Sequence, residues 1–151
     1  MKKQTGFTLI ELLLVLAIIG IIAAIAIPAL LGQRERAKAK ATQSLVANAA
    51  AELVRINDSK RETSGSAVTA ASVVGLFLNL SNYKYPAAKN PYGGTSNPYT
   101  SGSGTGLGIV YLAAGSVLDS ATNKNYQAVT LRGTYKNGTG TSLVTKIVAL
   151  D

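Results

Sequence analysis

Between Leu12 and Leu31 the chain runs for twenty residues without a charged side chain, and the residue just before that run, Glu11, is a carboxylate. At the helical rise per residue the run spans about 30 Å, one hydrocarbon core. A backbone in lipid has to satisfy its own hydrogen bonds, which for a single segment means a helix. The run therefore fixes the first element. Glu11 sets the problem, because a carboxylate carried into a membrane costs about 3 kcal/mol and such groups are usually paired and functional.

Three readings of this segment compete. A cleavable secretory signal is supported by Lys2 and Lys3 as a charged n-region and by Ala24-Ile25-Ala26 as an A-x-A site. Against it, Glu11 heads the apolar stretch, and the stretch continues past that site through Ile27, Leu30 and Leu31. A plain anchor leaves Glu11 unpaired, since no basic side chain lies between Lys3 and Arg34. The third reading is a short leader followed by an assembly helix. Cleavage between Gly6 and Phe7 creates a cation, the new α-amino group of Phe7, four residues from Glu11. Two unit charges about 4 Å apart attract by roughly 4 kcal/mol at an effective dielectric near 20. The amine serves its own Glu11 or that of a neighbouring subunit, and the second arrangement sets a fixed stagger between copies.

The stretch KKQTGFTLIELLLVLAIIGIIAAIAIP resembles the N-terminus of type IV prepilins and of type II secretion pseudopilins. The resemblance is close over about the first 30 residues, matches in pattern to about residue 60 and in general layout beyond. It implies a leader of residues 1–6, cut after Gly6 by a membrane-embedded prepilin peptidase that also N-methylates Phe7. It implies that Glu11 complements the amino terminus of an adjacent subunit, so that Phe7 and Glu11 direct assembly. It further implies a transmembrane and assembly helix over 7–33, a globular pilin domain over 34–151, and a homopolymer whose helices bundle inside.

Gly20 is a poor helix former, and Pro28 lacks its helix hydrogen bond and crowds the preceding turn. The residues alone leave two readings open: a mild kink tolerated in a membrane helix, or local melting between the two positions in the assembled filament, which the resemblance favours. The positive-inside rule runs against an outward C-terminal domain, because Arg34, Arg36, Lys38 and Lys40 follow the span while Lys2 and Lys3 precede it. Long domains translocate largely regardless of such charges.

Composition narrows the chemistry. The 151 residues include no Cys and no His, which removes disulfides, thiolate nucleophiles and the usual general base. The acids number seven, and after Glu62 only Asp119 and Asp151 remain. Calcium binding, which the resemblance to major pseudopilins suggests, asks for several carboxylates. That scarcity favours a pilus over a pseudopilus. The expectation is a protein that is not an enzyme, with no cofactor and no metal. Residues 7–151 carry 13 basic and 7 acidic side chains, a net of +6, which suits solubility or an anionic partner such as DNA.

Past Pro28, Ala37, Ala41, Leu45, Ala49, Leu53 and Ile56 recur every three or four residues and predict an amphipathic continuation, with Arg34, Lys38, Lys40 and Glu52 on the other side. The helix is expected from Phe7 to about Asn57, roughly 75 Å. The polar stretch NDSKRETSGS reads as a loop, and Ala67–Leu80 as a second helix. A connector with Pro86, Pro91 and Pro98 follows, its Tyr83, Tyr85, Tyr92 and Tyr99 expected to pack it down. The segment Gly102–Gly108 lacks the Gly-Lys-Ser/Thr ending of a phosphate loop and reads as a turn into a strand. Strands are expected at 107–113, 126–132 and 143–149, the last two joined by a hairpin at Lys136-Asn-Gly-Thr-Gly140. The fold class is α+β: a long N-terminal helix packed on a small antiparallel sheet, pilin-like.

The function expected is that of a type IV pilus subunit serving adhesion, motility or DNA uptake. It would start in the inner membrane and, with the pilus assembly machinery, reach the extracellular pilus. Alternatives are a type II secretion pseudopilin and a DNA-binding minor pilin, the latter using Lys84, Lys89, Lys124, Arg132 and Lys136 if they share one face.

Overall fold

The computed structural model describes residues 6–65, 68–84, 88–93, 97–138 and 140–150. Element order is α1 (Leu9–Ser64), α2 (Ala70–Lys84), β1 (Tyr99–Ser101), β2 (Val110–Asp119), β3 (Lys124–Asn137) and β4 (Gly140–Leu150). The strands form one sheet in the order β1-β2-β3-β4. The fold class is the α+β arrangement expected, a long N-terminal helix with a small sheet. The chain divides into two compact units, Met1–Glu35 and Arg36–Asp151.

Helix α1 continues through NDSKRETS, which the sequence reading took for a loop. A polar stretch on a helix is a solvated face, and the stop signal lies further on. Gly65 adopts φ +60°, and its N–H reaches the Arg61 carbonyl at 3.1 Å. That left-handed glycine just past the last turn ends the helix. α2 begins after Thr69, whose hydroxyl accepts from Ser72 N–H, while Gln127 of β3 accepts from Ala70 N–H. It starts later than expected and runs on to Lys84.

β2, β3 and β4 pair antiparallel, Val110 against Gly133 and Val129 against Val148. β3 and β4 extend past their expected segments at both ends, whereas β2 starts three residues later than expected, at Val110, and runs on to Asp119. The β3–β4 hairpin closes with Asn137 opposite Gly140, as the Asn-Gly pair predicted. The β2–β3 turn, unforeseen, places Asn123 at φ 53°. β1 joins parallel to β2, so the sheet is mixed. It is three residues long, so the returning loop has little distance to retrace, and a Pro beside it suits an edge strand. The glycine-rich loop between them acts as the turn expected: Gly102 N–H donates to the Leu112 carbonyl at 2.9 Å.

The core of the second unit lies between the helices and one sheet face. It gathers Val46, Ala49, Ala50, Leu53 and Ile56 of α1; Val73, Val74 and Phe77 of α2; and Val110, Leu112, Val129, Leu131, Val148 and Leu150 of the sheet. Of the stripe expected on α1, Ala49, Leu53 and Ile56 are buried, Ala41 and Leu45 half-buried and Ala37 exposed, and the stripe is widened on one side by Thr42, Val46 and Ala50. Glu52, expected outside, is buried and paired with Arg55, Nε to Oε2 at 3.0 Å. At Gly133 of β3 the side chains of α1 leave no room for a side chain. A Cβ there would stand 2.8 Å from Val46 Cγ2.

Two of the connector tyrosines pack as expected. Tyr99 is buried edge-on against Phe77, centroids 5.1 Å apart. Tyr92 is half-buried and its hydroxyl accepts from Lys136 N–H at 2.9 Å. The side chain of Tyr83 and all of Tyr85 and Pro86 lie outside the described residues. Asn90 pins the loop: its amide donates to the Leu107 carbonyl at 2.8 Å and its Oδ1 accepts from Tyr92 N–H at 2.9 Å.

Candidate functional site: the N-terminal half-helix

From Gly6 to Arg34 every residue is exposed except Ala23, which is half-buried. Sixteen large apolar side chains stand uncovered there, from Phe7 to Leu31. Among the described residues one helix is long and apolar enough to cross a membrane, and this is its N-terminal part.

The start of α1 is built by Thr8 and Glu11. Thr8 N–H and Thr8 Oγ1 donate to Glu11 Oε2 at 2.9 and 2.7 Å, and Glu11 N–H reaches back to Thr8 Oγ1 at 3.3 Å. This is a capping box: the threonine caps the helix, and the glutamate three residues on caps the threonine. The sequence reading missed it, although T-x-x-E ahead of an apolar run is its signature. Glu11 therefore has a partner inside its own turn, which removes the orphaned carboxylate as an argument against a plain anchor. The hydrogen bonds fall on Oε2, and the whole group remains at the surface of the half-helix.

The structure brings Gly6, Phe7 and Glu11 within one turn of the helix start, Phe7 three-quarters exposed. Residues 1–5, with Lys2 and Lys3, lie outside the described residues. Gly20 and Pro28 sit further along α1, which is helical through both.

The basic residues proposed for DNA do not gather. Lys124 and Lys136 lie near opposite ends of the 14-residue β3, about 40 Å apart at the extended rise. Arg132 shares their strand parity, and the Lys84 side chain lies outside the described residues.

Comparison with known proteins places this segment. A family described as "Prokaryotic N-terminal methylation motif" matches residues 1–27. The chain is 50% identical over 48 residues to type II secretion system core protein G of Vibrio cholerae, covering 31% of this chain and 33% of that one. It is 79% identical over 28 residues to a fimbrial protein of Pseudomonas aeruginosa, 18% of each chain. It is 62% identical over 37 residues to the type IV wide pilus major component PilA4 of Thermus thermophilus, 24% of this chain and 28% of that one. No solved structure matches the chain significantly. These matches span a third or less of each of the three relatives. Over these N-terminal residues the chain matches the methylation motif and is similar to type IV pilus and type II secretion proteins, and its helix-plus-sheet architecture is consistent with a pilin fold.

Proposed function

We propose that the chain is a structural subunit of a type IV pilus, polymerising through its N-terminal half-helix. One observation carries this reading: the methylation motif is continuous with a half-helix that the chain's own fold leaves bare. A segment with sixteen uncovered large apolar side chains has to sit in lipid or among copies of itself. A filament offers both in succession, first the inner membrane and then a bundle of helices.

In this reading a prepilin peptidase removes residues 1–6 and methylates the new amine of Phe7. The amine then competes with Thr8 for Glu11. The capping box holds the carboxylate at the head of the helix before assembly, and an incoming subunit's amine offers it a full charge in place of neutral donors. The Thr8 bonds are charge-assisted only through the carboxylate, and the amine adds the attraction of a second unit charge, roughly 4 kcal/mol at about 4 Å and an effective dielectric near 20. Loosening between Gly20 and Pro28 belongs, on this account, to the assembled state, since the single subunit is helical there. The mature filament would be extracellular, with the sheet domain outward.

The second reading, a pseudopilin of a type II secretion system, is favoured by the longer match to core protein G, 48 residues against 28 for the fimbrial protein. Intact mass with N-terminal fragmentation, on protein sheared from native cells, separates the two. An abundant chain beginning at N-methylated Phe7 in the sheared fraction supports the pilus. The same chain confined to the envelope supports the pseudopilin. A chain beginning at Ile27 refutes both.

A further inference from the structure

We propose that the pole of the sheet domain carrying Arg36, Lys38, Lys40, Lys89 and Lys136 binds anionic phospholipid headgroups. The inference rests on the membrane reading above and adds a specific lipid chemistry to it. In sequence, Arg36 follows Leu31, the last residue of the apolar run, by five residues. Glu35 is the only acid among Arg34–Lys40, and no other occurs before Glu52.

The fold adds to this run from far along the chain. Tyr92 is the organiser. The Lys38 ammonium stands 5.4 Å from its ring centroid, a cation–π distance. Lys136 N–H donates to its hydroxyl. Lys89 is exposed at the turn that Asn90 closes onto Gly93, N to O 3.1 Å. Lys136, 98 residues beyond Lys38, thus joins the same pole.

Glu35 aside, the carboxylates of the described residues lie elsewhere. A Cβ at Gly133 would meet Thr42, and Gly133 pairs with Val110, which puts that end of the sheet beside the Lys38 end of the helix. Asp119 is at the opposite end of β2, paired in register with Lys124. Glu52 is bound to Arg55. Asp58 and Glu62 lie about five and a half and six and a half turns along α1 from Lys38, among Arg55, Lys60 and Arg61. Among the described residues none of the five pole cations forms an ion pair.

A cationic pole holding a half-buried tyrosine, just beyond an apolar span, has the chemistry of an interfacial anchor. It also gives a role to three of the four cations after the span that oppose the positive-inside rule, Arg36, Lys38 and Lys40. Bound to headgroups, they would hold the sheet domain on the leaflet and fix the depth of the span until assembly extracts the subunit.

The test reconstitutes the full chain into phosphatidylcholine nanodiscs containing about a quarter phosphatidylglycerol, and counts the lipids it retains by native mass spectrometry. Phosphatidylglycerol should be retained over phosphatidylcholine by about three- to tenfold at low salt, falling towards parity at high salt. The variant R36Q/K38Q/K40Q/K136Q should lose the preference, and R61Q/K124Q should keep it. Because Lys38 packs on Tyr92, K40Q/K136Q provides a second variant with the packing intact, and it should lose part of the preference. Equal retention of the two lipids, or a preference unchanged in both pole variants, overturns the proposal. So does a short DNA duplex that binds through the same cations and displaces the lipid at equal charge, which would assign the pole to nucleic acid. A chain that does not insert at all refutes the membrane reading, and this inference falls with it.

Discussion

The two halves of α1 share one helix and differ in what covers them. From Thr42 to Asn57 the helix buries a stripe of small and branched side chains under a sheet and a second helix. From Phe7 to Leu31 it buries none of its large apolar side chains. At about 1.5 kcal/mol or more for each side chain left uncovered, the sixteen in the first half represent upwards of about 20 kcal/mol of unrealised burial. The second half is stabilised by its own fold, whereas the first is an interface awaiting lipid or other copies. Substitutions in the two halves should therefore fail in different assays.

The largest effect is expected at Glu11. Glu11→Ala should be cleaved after Gly6 like the parent yet build almost no surface filaments, while the melting temperature of the sheet domain stays unchanged. Filament counts by electron microscopy, with N-terminal sequencing of the retained subunit, check both parts. Normal filaments from this variant would remove Glu11 from assembly and leave it as a helix cap only.

Phe77→Ala is the opposite case. Its ring is fully buried between Tyr99 and the sheet, and truncation should destabilise the domain by about 3–5 kcal/mol. Cleavage after Gly6 should be unaffected. Chemical denaturation of the purified chain measures the loss, and a cost below about 1 kcal/mol would mean the two-helix core is wrongly drawn.

Gly133→Ala should cost less, about 1–3 kcal/mol, because a Cβ would meet Val46 and Thr42 of α1 and Val144 of β4. Val46→Ala in the same chain removes the nearest of these atoms. The double variant should then cost less than the sum of the two single changes. Strict additivity would separate Gly133 from the helix contact.

The sequence made the uncovered half almost fully legible and the covered half only in outline. An uninterrupted apolar run with a carboxylate at its head needs no tertiary context to be read. The capping box could have been read as well, since Thr8 and Glu11 are three apart, and only the search for a cationic partner hid it. The α1 stripe was legible in part: Ala49, Leu53 and Ile56 are buried as their spacing predicts, whereas Val46 and Ala50 join them only because the sheet covers that side. The helix end was misplaced because polarity was taken for a loop while Gly65, a stronger signal, stood just beyond. Strand limits and the parallel β1 depend on partners far along the chain. So does the Lys38–Tyr92–Lys136 contact, which no spacing rule foretells.

The smallest effect should appear at Asp119, the half-buried last residue of β2, beside the turn into β3 and outside both interfaces. Its carboxylate accepts from Thr122 Oγ1 at 2.6 Å and from Ala121 N–H at 2.9 Å. The Thr122 hydroxyl first, and the Ala121 amide second, hold its pKa below the usual carboxylate value. A carboxyl group that ionises more readily folded than unfolded adds stability above its unfolded pKa, near 4. That contribution is lost as pH falls from there through the lower folded value. Asp119→Ala should thus be slightly less stable than the parent at pH 7, with the two urea midpoints converging below about pH 4. A gap that persists undiminished at pH 2 would show that the turn depends on the shape of the side chain and not on its charge.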